Sequence, residues 1–403
     1  MAQFLTTSMQ FLLIFLLSIF HFLPSYAEGF KEKRTRYIDF QLYGSTFFEQ
    51  NSRTVNAVQK RNTQVWTNSN LDIDFNFTEN FGVATQTSIL NRVNGMQRTY
   101  ATIDYINSQQ SSAFLSNTGL TQRVLAFHVH KEDTSVLFGK IHPRAGILTN
   151  IRPDSIDFPW AGAYGFVMNG GYMNSNKVGL EFRTQINLAP YSSQTFEVAI
   201  FKNDRSKLNN STLANNNLSG YSMPHLNNLT SEREAGKATS FSLLFVNEAD
   251  LIGEQNFLYS IYFRKQGVES GNAKLADENT VITSGQYSFL SGESGKFGVL
   301  GNVAYISNAH GVKSLREQYY TASAFIEIDS FNVALIYHKF NMNGNSDLGI
   351  SSLGLSQAQM SLGYKFTRGY RVDVAYRTLK DTKTKNKSDG VSIVMQYSIG
   401  TKR

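Results

Sequence analysis

The chain of 403 residues contains no cysteine. That excludes a disulfide framework, a thiolate metal site and a cysteine nucleophile. Proline is scarce, at 6 residues, which suits long, uninterrupted strands. Only 17% of residues are charged, against about 25% in an ordinary soluble domain. The one dense basic run, Lys380 to Asp389, reads as a solvated loop, and nothing resembles a nucleic-acid-binding signature. Seven histidines with no G-x-S-x-G or comparable constellation leave no nucleophile with a base in reach, so no enzyme is expected. Long apolar runs are missing beyond the N-terminus, and the mean hydropathy is −0.27. A helical membrane bundle is thereby excluded, but a barrel with a lipid face and a wet face hides its membrane character in this way.

The N-terminus is the exception. An apolar stretch from Phe11 to Leu23 is followed by Pro24 and by Ser25-Tyr26-Ala27. The run is short for the ~20 residues of a spanning helix and ends in small residues at cleavage-site spacing, although no Lys or Arg precedes it. Residues 1–27 are therefore expected to be a signal peptide, and 28–403 the mature chain.

What the chain has in abundance is alternation. In "SLGYKFTRGYRVDVAYRTL", Leu362, Tyr364 and Phe366 share one face of an extended chain, and Tyr370, Val372, Val374 and Tyr376 continue it past Thr367-Arg368-Gly369. Ser361, Gly363, Lys365, Arg371, Asp373 and Arg377 take the other face. This is a β-hairpin pattern. Sixteen such segments follow residue 27, and the connections between them alternate strictly between short and long. The long set is expected at 49–65, 91–120, 141–176, 204–237, 267–278, 307–317, 341–354 and 380–389. Aromatics bracket the short turns: Phe77 and Phe81, Phe289 and Phe297, Phe366 and Tyr370. Strands of ~10 residues match the ~25 Å apolar band of a bilayer-spanning barrel, whereas soluble strands average ~5–6. The fold predicted is all-β: a transmembrane, antiparallel, up-and-down barrel of sixteen strands, large enough for an aqueous channel. Asp72, Asp74, Asn76, Gln86, Glu181, Arg183, Gln185, Asn187, Ser240, Gln357 and Gln359 fall on its inward positions.

One segment breaks the pattern. The third long loop, 141–176, follows "GKIHPRAG" (Gly139 to Gly146) and holds three of the six prolines. A structured loop of this size usually has a function. The layout resembles gram-negative outer-membrane porins of sixteen strands, especially the alphaproteobacterial porin-like type. Lys140, His142, Pro143 and Gly146 match that family's strand-to-loop motif, with Ala145 where an aromatic is usual; Tyr172 and Lys177-Val178-Gly179 match the return to the barrel. The resemblance implies a third loop folded into the lumen, passive diffusion of small hydrophilic solutes, a gram-negative outer-membrane location, a homotrimer, the barrel-assembly machinery as partner, and no cofactor. The C-terminus departs from the family: Ile399 stands in the place of a terminal aromatic, followed by Gly400 to Arg403.

The expected constriction residues are Lys140, His142, Arg144 and Arg152 against Asp154 and Asp157, which read equally as eyelet charges or as an ordinary solvated loop. Glu181, Arg183, Arg371, Asp373 and Arg377 are expected along the lumen. Bases outnumber acids in this set, and the chain carries a formal +7, so a weak anion preference is expected, screened over ~8 Å at physiological salt. His128 and His130 lie two apart on one face, without the further ligand a metal site needs. A substrate-specific channel and a non-conducting structural or adhesive barrel remain alternatives.

Overall fold

The computed structural model describes residues 37–55, 58–93, 118–141, 143–144, 177–189, 192–202, 239–251, 255–267, 276–291, 295–345, 352–367, 369–382 and 387–400. The chain divides after Thr35, and all described residues belong to the second unit, Arg36–Arg403. That unit is a closed barrel. Its strands are β1 (Tyr37–Val55), β2 (Val58–Thr78), β3 (Phe81–Val93), β4 (Thr118–Lys131), β5 (Thr134–Ile141), β6 (Lys177–Ala189), β7 (Ser192–Lys202) and β8 (Thr239–Leu251). They continue as β9 (Gln255–Gln266), β10 (Glu278–Ser291), β11 (Gly295–Ser307), β12 (Arg316–Ile328), β13 (Phe331–Met342), β14 (Leu353–Thr367), β15 (Tyr370–Asp381) and β16 (Lys387–Gly400). Each pairs antiparallel with its chain neighbours, and β1 closes on β16 from Gln41↔Gly400 to Thr54↔Lys387.

The alternation in sequence becomes an outside and an inside. β13 repeats exposed and buried residues along its whole length. Outward side chains such as Phe138, Leu335, Leu362, Phe366 and Val374 stay exposed, as does Phe331. A large, contiguous apolar outer surface is incompatible with a water-facing protein; on a barrel it is the lipid belt. Ring pairs gather beside the short turns: Phe77–Phe81 with centroids 5.6 Å apart, Phe289–Phe297 at 5.2 Å and Phe331–Tyr364 at 4.7 Å. Such girdles sit where lipid meets water.

One expected loop is corrected. Most of 49–65 is strand: β1 and β2 run through it and stay paired to Val55↔Val58, leaving only 56–57 between them. The segment is polar on both faces, so it offers no apolar stripe to mark it as strand, yet backbone pairing needs none.

Candidate functional site: the inner wall of the barrel

The inner wall is read by following residues that face one another across successive strands. One inward ring runs Leu355, Phe340, Tyr319, Ala304, Ile282, Tyr262 and Leu244, crossing β14 to β8. It then meets Glu197 on β7 and Arg183 on β6. The ring changes character at that point, from apolar to charged. The next ring toward the short-turn end is polar: Gln357, His338, Thr321, Asn302, Ser284 and Ser260. Here Ser284 Oγ donates to Asn302 Oδ1 at 2.6 Å, and Thr321 Oγ1 lies 3.0 Å from His338 Nδ1. The apolar ring was not foreseen, because alternation tells which face is inward and not what covers it.

The charged sector gathers four groups. Glu197 is 4% exposed and forms an ion pair with Arg144, just past the end of β5; its Oε1 also lies 2.5 Å from Arg183 Nε. A second guanidinium nitrogen, Arg183 Nη2, donates to Glu181 at 3.1 Å. Burial and the neighbouring Arg183 cation both pull the Arg144 pKa down, while Glu181 acts in the opposite sense; it falls to about 9, so the group stays charged at neutral pH. On the long-loop side of Glu197 and Arg183, Ala126, Ile141, Ala199 and Phe201 form a small buried cluster with Val124 and Leu137. The paired Gly139 and Gly179 make that possible: Gly139 holds φ +133°, and a Cβ at Gly179 would meet the Cβ of Phe201 at 2.7 Å. Glu197 was missed in the sequence, although Phe196 and Val198 on either side of it already mark it as inward.

Elsewhere on the wall, Arg371 donates from Nε and Nη2 to Asp373 Oδ1 at 3.1 and 3.0 Å. Arg377 is buried on the same face of β15. Near the long-loop end, Arg264 Nη2 donates to Glu278 at 2.8 Å and to Thr280 at 3.1 Å. On β4, His128 and His130 stack inward with centroids 5.6 Å apart.

Lys140 is corrected. It faces Leu125 on β4 and Val178 on β6, which are 52% and 63% exposed, and so belongs to an outward row rather than to the lumen. The motif "GKIHP" suggested a pore residue, but strand parity decides the face. His142, Arg152, Asp154 and Asp157, with most of the 141–176 loop, lie outside the described residues. Of the expected constriction residues, only Arg144 is placed beside charged partners.

The balance of charge also differs from the expected one. Among the described residues, the buried acids Asp72, Glu181, Glu197, Glu278, Glu317, Asp373 and Asp381 outnumber the arginines of the wall, the buried Arg264, Arg371 and Arg377 with the half-buried Arg144 and Arg183.

No protein family and no curated protein matches the chain in sequence. Solved structures do match in fold. OprB of Pseudomonas putida, in its high-pH structure, aligns over 91% of this chain and 94% of its own, at 11% identity and a TM-score of 0.58. OmpF of Salmonella typhi in complex with daunomycin aligns over 89% and 97%, at 12% identity and 0.52. The outer membrane channel DcaP of Acinetobacter baumannii aligns over 92% and 99%, at 14% identity and 0.50. At these identities the likeness is one of fold, and the fold is that of outer-membrane barrels.

Proposed function

We propose that this protein is an outer-membrane porin: a water-filled channel through which small hydrophilic solutes and ions diffuse passively, with no chemical step. The observation that carries the reading is the closed barrel of sixteen strands, apolar outside and rich in buried polar and charged side chains inside. Eight strands would be filled by their own side chains, whereas sixteen leave a lumen. The proposal includes removal of residues 1–27, a lumen-folded 141–176 loop, insertion by the barrel-assembly machinery and a homotrimeric assembly, as the family resemblance implies. Size-exclusion chromatography with light scattering in detergent reads the oligomer directly. Single-channel recording in planar bilayers tests the function. Discrete conductance steps are expected; a folded barrel that carries no current would leave a structural or adhesive role instead.

The ion preference has two readings. The weak anion preference expected from the sequence rests on the formal +7 and on the basic residues of the 141–176 region. A weak cation preference is favoured by the acid excess of the described inner wall, since wall charges set ion selection. The second reading is the one adopted here. Lys140 points outward, and Arg144 is paired with Glu197.

A further inference from the structure

The segment Asn308–Leu315, between β11 and β12, falls in one of the expected long connections, 307–317. It does more than connect. Ala309, Val312 and Leu315 are each 0% exposed and belong to one apolar cluster with Tyr262, Ile282, Ile306, Tyr319, Phe340 and Met342. Those partners are inward side chains of β9 to β13. A loop that lies against β10, one strand beyond its own, and shares a buried cluster with Tyr262 on β9 has turned over the rim into the barrel. This accounts for the apolar ring. Apolar residues lining a watery pore are costly unless something removes them from water, and three loop side chains are seated on them.

The seat is held on both sides. Asn308 takes a left-handed conformation (φ 51°), donates from Nδ2 to the Asp277 carbonyl at 2.9 Å and accepts the Ser314 N–H at 3.0 Å. The Ala276 N–H donates to the Gly311 carbonyl at 2.9 Å. From the opposite side, Asn343 donates from Nδ2 to the Ser314 carbonyl at 3.2 Å and accepts the Arg316 N–H on Oδ1 at 2.5 Å. Asn345 Nδ2 donates to the Lys313 carbonyl at 3.1 Å. Backbone groups of an eight-residue crossing are thus satisfied by the connections before and after it, as a fixed loop requires.

We propose that Asn308–Leu315 is a permanent restriction at the long-loop end of the channel, distinct from the 141–176 loop, and that it limits how large a solute can pass. It is seated by Ala309, Val312 and Leu315 and latched by Asn343. This rests on the channel reading above. The restriction is set by apolar packing and neutral hydrogen bonds, so it acts by size and is insensitive to salt, unlike a charged eyelet.

The test uses the whole protein, and the lack of native cysteine makes a single introduced thiol a clean reporter. Ala309→Cys should resist a membrane-impermeant maleimide in the folded barrel. Adding Asn343→Ala, at an exposed position, should speed its labelling about tenfold by removing hydrogen bonds that hold the loop down. Val312→Asp should do the same from the apolar side. Both variants should raise single-channel conductance by about half and admit larger uncharged oligosaccharides in liposome swelling. Equal labelling with and without Asn343 overturns the latch. Fast labelling with unchanged conductance and solute size overturns the restriction. Absence of current from the wild-type barrel overturns the channel reading itself, and the labelling rates then decide the inward seat alone. Heat-modifiability on gels confirms that each variant is a folded barrel.

Discussion

Glu197 is the residue on which the charged sector turns, because it meets both Arg144 and Arg183. Replacing it with Gln keeps the shape and removes the charge, leaving two cations facing each other with only Glu181 between them. The barrel should lose roughly 1–3 kcal/mol, a range kept low because Arg183 is 37% exposed and water screens it. Denaturant midpoints in detergent would measure the loss, and an unchanged midpoint would show that Glu197 does not hold the pair. On the outer face the logic is one of solvent. Val374 is 48% exposed and points outward. Val374→Arg should cost about 2–4 kcal/mol, as for a cation on the lipid face near mid-bilayer, whereas Val374→Leu should be silent. If the Arg variant refolds in lipid vesicles as well as the wild type, the outward face of β15 is not against lipid.

Strands are the level at which the sequence was most legible, and the reason is physical. A lipid face demands apolar side chains at every second position, so Leu362 to Tyr376 announces a hairpin without any knowledge of its partners. Where that demand stops, legibility stops. The sequence of 49–65 has no apolar residue at every second position, and it therefore reads as a loop although it is paired to Val55↔Val58. Lys140 was misread for a different reason: the local motif was given more weight than parity, which its neighbours Phe138 and Leu125 express clearly. The inward loop at Asn308–Leu315 was out of reach, since part of its seat comes from β9, β10 and β13, which do not adjoin it in sequence. At the scale of connections, the strict alternation gives a topology that can be checked. Affinity tags in 346–351 or 383–386 should be accessible on intact cells, and tags at Asp329–Ser330 should not. Labelling of the short turns on intact cells would invert the orientation.

For the molecule as a whole, the question is what field an ion meets inside. The described wall places acids on β2, β6, β7, β10, β12 and β15, and arginines on β6, β9 and β15, with Arg144 just past β5. On the proposed channel reading, that distribution predicts a cation excess in the lumen, moderated by salt over ~8 Å at physiological strength. The zero-current potential across a bilayer in a KCl gradient should therefore have the sign of a mild potassium preference, growing as salt is lowered. Charge-neutral variants at the mouth, such as Glu317→Gln with Asp381→Asn, should move it toward zero. A clear chloride preference would return the choice to the basic residues of the 141–176 region.

The long hairpin of β1 and β2 has one more consequence, and it concerns time rather than space. β2 is 21 residues long, about 49 Å of height at a ~3.3 Å rise and ~45° tilt, roughly twice the ~25 Å lipid belt. Among the described residues, its tip from Val58 to Gln64 pairs with β1 alone, because pairing with β3 begins at Val65↔Val93. A closed barrel secures most of each strand on two sides, so most of its amides should keep their hydrogens for hours to days. The tip should keep them for seconds to minutes, since a ladder secured on one side only opens without disturbing the rest. Hydrogen–deuterium exchange would then show a step in rate along a single strand near Gln64, and a rate as slow in 58–64 as in 65–78 would mean that a further strand covers this edge.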